Sequence, residues 1–306
     1  ICRFGQGLGL GGEWGGAVLL ATENAPPGKR AWYGMFPQLG APIGFIFSGG
    51  IFLILSRVLT DEQFFSFGWR IPFLASASLV VVGLYVRLTI TETPVFAKAI
   101  EKVERVKMPV VTVLREHTGA LVLGVLVSLA AFVLFYLMSV FTLSWGTSAL
   151  GYTREEFLLM QLFAILFFAL TIPISAIVAE TGRRRAMIWM VSAAVVYGFV
   201  MAPLIESGTW GTVLMLVLGF SLTGLVYGPL GTVLAEMFPT AVRYTGTSIA
   251  FNMAGIFGAS LAPYAATWLA QNHGLEYVGY YLSGVSALSL LGLLLSKETK
   301  DTDHAQ

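Results

Sequence analysis

Glu23-Asn24-Ala25-Pro26-Pro27-Gly28-Lys29-Arg30 and Glu236-Met237-Phe238-Pro239-Thr240-Ala241-Val242-Arg243 both read E-x-x-P-x-x-x-R, 213 residues apart. At the same offset Gly11 and Gly15 fall on Gly224 and Gly228. Each copy is a short polar turn between two long apolar stretches, so it marks the same connection in two related halves. The surrounding composition says what those halves are made of. Of 306 residues, 56% are hydrophobic and 11% charged, with mean hydropathy +0.78; a soluble domain carries about 25% charge. The chain reads as an all-α membrane protein. Its single cysteine, Cys2, excludes a disulfide framework and a cysteine-based metal site, and a net charge of +1 gives no footprint for nucleic acid.

A helix crosses the hydrocarbon with about 20 apolar residues, and nine segments qualify, near 1–23, 32–55, 69–87, 118–145, 157–179, 186–205, 210–235, 246–271 and 277–295. Runs this continuous exclude the alternation of an outer-membrane barrel. Fourteen Lys and Arg fall on one side of the resulting topology and only Arg57, Arg70 and Arg154 on the other. The positive-inside rule makes the richer side cytoplasmic, with the C-terminus there. Ile1, with no signal sequence after it, is an odd start for such a chain.

The repeat aligns spans one to three with spans seven to nine, so its period is six spans. Two parallel six-helix halves joined by one long cytoplasmic loop describe a secondary transporter with its site between the halves. In that frame residues 1–91 are the last three helices of a first bundle, 92–117 the central cytoplasmic loop, 118–296 a complete second bundle and 297–306 a cytoplasmic tail. The nine helices then correspond to helices 4–12 of twelve, and three are expected upstream.

These residues resemble the major facilitator superfamily, and within it the metabolite:H+ symporters that include shikimate, 2-oxoglutarate and proline/betaine carriers and uncharacterised inner-membrane metabolite transporters. The strings that carry the resemblance are RFGQGLGLGGEWGG (3–16), ENAPPGKR (23–30), GWRIPF (68–73), TETPVF (91–96), TGRRR (181–185) and EMFPTAVRYTG (236–246). The resemblance implies the major facilitator fold, alternating access and a charge latch on the cytoplasmic face. One departure stands out. The superfamily loop usually reads D-x-x-G-R-R, but Ala179 occupies the aspartate's place and the acid is Glu180.

Arg3 and Glu13 are the ionisable residues well inside a span. Charge there costs about 2.5–3.5 kcal/mol on insertion scales and marks pathways or relays. With Gln6 and Leu10 they share one helical face, flanked by glycine strips (Gly5, Gly9, Gly12, Gly16 and Gly7, Gly11, Gly15) that permit close helix contact. Arg3 suits a carboxylate and Glu13 a proton. Tyr136, Tyr227, Gln161, Asn252 and Gln38 are further candidates for the substrate pathway, although such residues more often make interhelical hydrogen bonds. For the cytoplasmic gate the candidates are Glu23, Arg30, Glu236 and Arg243 from the repeat, with Glu180, Arg183 and Arg184.

Gly7-Leu8-Gly9-Leu10-Gly11-Gly12 satisfies G-x-G-x-x-G, but no strand precedes it and Glu23 comes too early for a dinucleotide fold. The expected function is proton-coupled symport of a small polar or carboxylate metabolite across a bacterial inner membrane. No cofactor or metal is expected beyond the proton gradient, and the partners are the metabolite, protons and the lipid bilayer, which the basic stretch Lys98–Arg115 could touch. The carrier is expected to be monomeric. A solute sensor that binds without transport is the alternative, and a membrane-embedded enzyme a third, disfavoured because the spans hold no His, Asp or Cys cluster.

Overall fold

A computed structural model describes residues 2–89 and 108–299, without the side chains of 2–6, 8–10, 61, 86 and 87. The TETPVF string, the basic residues from Lys98 to Lys107 and the end of the tail lie outside the described residues. All regular structure within them is helical. Helix α1 (Cys2–Glu23) and α2 (Arg30–Val58) are joined by the first repeat turn, where Gly28 takes φ 74°, a conformation open to glycine without strain. Short α3 (Asp61–Ser66) and a 3-10 turn (Gly68–Arg70) lead into α4 (Ile71–Thr89). Thr60 and Gln63 form a capping box that starts α3. The stretch expected as loop ends in a helix, α5 (Pro109–Glu116).

The second half follows with α6 (Thr118–Tyr136), a π-helical turn (Leu137–Phe141) and α7 (Thr142–Ser148) as one span. Then come α8 (Arg154–Ala179), α9 (Arg183–Glu206), α10 (Thr209–Tyr227) with α11 (Leu230–Glu236), and α12 (Arg243–Gly255). A second π turn (Ile256–Ser260) links α12 to α13 (Leu261–Asn272), and α14 (Leu275–Leu295) closes the bundle. Among the described residues, eight spans are both long and apolar enough to cross a membrane. The ninth expected span, α1, is a helix of 22 residues whose glycines lower its hydropathy.

Lipid supplies no hydrophobic drive between helices, so small residues and hydroxyls hold the second-half bundle. Helices α9 and α14 meet at Gly198 and Gly279, where any Cβ would overlap the facing backbone. Ser283 Oγ donates to Val195 O at 2.7 Å, and Ser289 Oγ, between α14 and α6, donates to Leu126 O at 2.7 Å and accepts from Ala130 N at 3.0 Å. Thr171 and Ser175 on α8 donate to Ser221 O and Gly224 O on α10. The first half joins this bundle mainly through α2 against α8 and α1 against α12, and both α1 and α2 also touch α11.

Candidate functional site

The 213-residue offset is a quasi-two-fold axis in three dimensions. Val18 packs on Gly231, its own equivalent; a Cβ at Gly231 would stand 2.9 Å from a Val18 methyl. Trp14 is equivalent to Tyr227 and Gln38 to Phe251, and the four meet. The Trp14 indole stacks on Phe251 (3.4 Å between centroids, 10° between planes) and its Nε1–H donates to Gln38 Oε1 at 2.9 Å. Gln38 Nε2 in turn donates to Tyr227 O at 2.9 Å. Gln38 is wholly buried, and both ends of its amide are committed to this strut between the halves.

On the basic face the two repeat turns sit against each other. Arg243 Nη1 donates to Glu23 Oε1 at 3.5 Å across the halves, and its Nε to Phe238 O at 3.2 Å. Strict symmetry would pair Glu236 with Arg30. Arg30 is within electrostatic reach of Glu236, but the nearer cation is Arg183, whose Nε lies 3.3 Å from Glu236 Oε2. Arg183 is almost fully buried and also donates to Glu180 Oε2 at 2.8 Å.

Glu180 answers the question posed by the displaced acid. Lys29 is the N-cap residue of α2, and its side chain makes no cap. Glu180, from the other half, supplies one: the Trp32 N–H donates to its Oε1 at 3.0 Å. A carboxylate there satisfies an orphan donor and meets the positive end of the helix dipole. A matching exchange ties α9 to α14. Glu298 accepts from the backbone N–H groups of Arg183 (2.9 Å) and Arg184 (3.2 Å) at the start of α9. The Arg184 guanidinium donates to Leu293 O (2.8 Å) and Leu294 O (2.7 Å) at the end of α14. Thr299 Oγ1 then donates to Glu236 Oε2 at 2.7 Å.

The opposite face is open. A cavity of about 730 Å³ lies between α2, α3, the α6–α7 span and α8, and reaches the surface at exposed Phe65, Arg154 and Glu155. Its walls carry seven aromatic residues among eighteen, including Phe45, Phe52, Phe135 and Tyr136. Beside its mouth Arg57 on α2 pairs with Glu155 on α8. At its inner wall Gln161, fully buried, donates through Nε2 to Met138 O (2.8 Å) and Ser139 O (2.9 Å), carbonyls of the first π turn.

Of the expected pathway residues, Tyr136 and Gln161 line this cavity, whereas Tyr227, packed against Phe168 at 5.9 Å, is not among its lining residues. Asn252 donates to Gly11 O at 3.1 Å and so ties α12 to α1. The glycine strip works as close packing: a Cβ at Gly15 would overlap Ser248 Oγ. Glu13 lies on the exposed side of α1. The side chains of Arg3 and Gln6 fall outside the described residues.

Halves related by a two-fold, a latch on one face and a cavity on the other invite comparison with known carriers, and residues 1–257 match the family model described as Major Facilitator Superfamily. The chain belongs to the major facilitator superfamily. It is 51% identical to the inner membrane metabolite transport protein YhjE of Escherichia coli, with 98% of this chain and 70% of that protein aligned. To the shikimate transporter of the same organism it is 33% identical, over 96% of this chain and 69% of the relative. The fold matches the proton:xylose symporter XylE with TM-score 0.73 over 93% of this chain and 68% of that one, at 19% identity.

Within this major facilitator chain the sequence reading missed Trp14, Phe251 and Glu298. The first two were readable by carrying the 213-residue offset through the whole helices rather than the turns alone. Glu298 had no local signal, because what it caps is 114 residues away.

Proposed function

We propose that this chain works as a proton-coupled symporter of a small polar or carboxylate metabolite in a bacterial inner membrane, by alternating access, with its basic face and C-terminus in the cytoplasm. The observation that carries the reading is the opposition of a latched face and an open cavity between the same two halves. On the latched side Glu23–Arg243 and Glu180–Trp32 cross the halves; on the other side the cavity reaches the surface. In this reading the carrier faces outward, with the Arg57–Glu155 pair still bridging the halves beside the cavity mouth. Movement of the halves about the Trp14–Gln38–Tyr227 strut would break the latch and expose the site to the cytoplasm.

Support for a metabolite as cargo comes from relatives named as metabolite and shikimate transporters, and for the proton from the xylose symporter that shares the fold. Glu13 is the proton carrier in this reading, and Tyr136 and Gln161 touch the solute. Reconstitution in proteoliposomes tests it. Radiolabelled shikimate, L-proline, glycine betaine and D-xylose are offered with and without an imposed pH gradient. Accumulation above equilibrium that collapses with a protonophore is expected for at least one. Binding without accumulation would identify a sensor, and conversion of the solute an enzyme.

A further inference from the structure

The Gln161 amide has a fixed orientation. Its Nε2 faces three acceptors, Met138 O at 2.8 Å, Ser139 O at 2.9 Å and Thr142 Oγ1 at 3.3 Å. Turning the amide over would set its oxygen against the two carbonyls. The oxygen must therefore be Oε1, and among the described residues no group donates to it. Gln161 borders the cavity, but its Oε1 presents almost no accessible surface there, so a donor reaches it only as the adjoining wall shifts. A buried acceptor left without a donor destabilises the fold unless something else supplies the hydrogen.

The rest of the cavity narrows what that is. Its charged lining residues, Arg154 and Glu155, are exposed at the mouth. The uncharged lining includes the rings of Phe45, Phe52, Phe135 and Tyr136, with hydroxyls from Ser48, Ser56 and Ser139. We infer that Gln161 Oε1 is a solute-binding acceptor, specific for an O–H or N–H donor on a compact solute whose remaining surface packs against aromatic rings. This rests on the transporter reading above and gives its site a chemical preference. Because the same amide holds the π turn through Nε2, occupancy of Oε1 bears directly on the segment Leu137–Phe141, where the span changes from α to π geometry.

The test uses the full chain in proteoliposomes with two matched pairs of probes. Shikimate is compared with its tri-O-methyl ether, and L-proline, which has N–H donors, with glycine betaine, which has none. The wild type should bind the donor-bearing member of at least one pair about tenfold or more tightly. Gln161→Met, which lacks the acceptor, should reduce that preference to about twofold or less. Gln161→Glu keeps an acceptor and loses the Nε2 donors, and should retain the preference even where it binds more weakly overall.

Equal binding of both members of each pair by the wild type overturns the inference without any variant, which covers the case in which Gln161→Met does not fold. A preference that survives in Gln161→Met also overturns it, as expected if an ordered water satisfies Oε1. Failure of the wild type to bind any of the four probes overturns the transporter reading together with this one. Binding with an unchanged preference leaves the transporter reading standing and removes only the role of Gln161.

Discussion

Removing the Glu180 carboxylate should release the latched face, and the size of the effect can be worked out. Glu180 makes two contacts, but only one crosses the halves. Its bond to Arg183 Nη1 lies within the second half, and Arg183 keeps Glu236 when that bond is lost. The bond from Trp32 N to Oε1 at 3.0 Å joins the start of α2 to the other half, so it alone biases closure. Loss of an N-cap costs about 1 kcal/mol, and loss of a negative charge at the helix N-terminus about 0.5 kcal/mol. The closed-to-open ratio in Glu180→Ala should fall by about 1.5 kcal/mol, or about 12-fold. Glu180→Gln keeps an acceptor and loses only the charge, so about twofold is expected. The assay is thiol labelling. With Cys2→Ser removing the native thiol, Val18→Cys places a reporter at a wholly buried position that opening of the latch exposes. When opening is fast relative to labelling, the rate follows the open population, and the two variants should label about 12 and about 2 times faster than the parent. A Glu180→Ala rate within twofold of the parent would refute the cap as a closing contact. Equal rates for the two variants would show that charge, not the hydrogen bond, carries the effect.

Glu23 and Arg243 are 3.5 Å apart and largely buried, which gives about 4.7 kcal/mol of attraction at an effective dielectric of about 20, most of it offset by desolvation. In the same labelling assay Glu23→Gln and Arg243→Gln should therefore show a coupling of about 1–2 kcal/mol; strictly additive effects would exclude a gate pair. Gly15→Ala should lower stability by about 1–3 kcal/mol, because its Cβ meets Ser248 Oγ. Adding Ser248→Ala should restore most of the melting temperature, since that hydroxyl is buried without a hydrogen-bond partner among the described residues. Glu13→Gln should leave solute exchange intact and abolish accumulation driven by a pH gradient; unchanged proton-driven uptake would remove Glu13 from the coupling path.

The spans were legible because each is a continuous apolar run, and the two-halved plan because the repeat turns kept acid, proline and base at one spacing. Thr60-Asp61-Glu62-Gln63 also announced a helix start, which the search for long spans passed over. What stayed hidden is contact between a side chain and distant backbone. Nothing around Glu180 says that its partner is the N–H of Trp32, 148 positions earlier. The π turn was equally silent, since its stabilising amide, Gln161, belongs to another helix. Gln161 and Gln38 looked alike as polar residues within spans. Only their surroundings separate them: both ends of the Gln38 amide are engaged by protein, whereas Gln161 keeps an acceptor beside a cavity.

Val18 resting on Gly231 carries a consequence for how two fused copies of one fold can be written. A position on the axis between copies faces its own counterpart, so a residue repeated there would meet itself. Two valines would collide and two glycines would leave a void. The neighbouring contacts, Trp14 on Phe251 and Gln38 on Tyr227, also join unlike residues across the seam. Likeness between the copies is therefore pushed outward to the turns, while the seam between them demands difference. The place where the two halves fit together is the place where their common pattern is hardest to read.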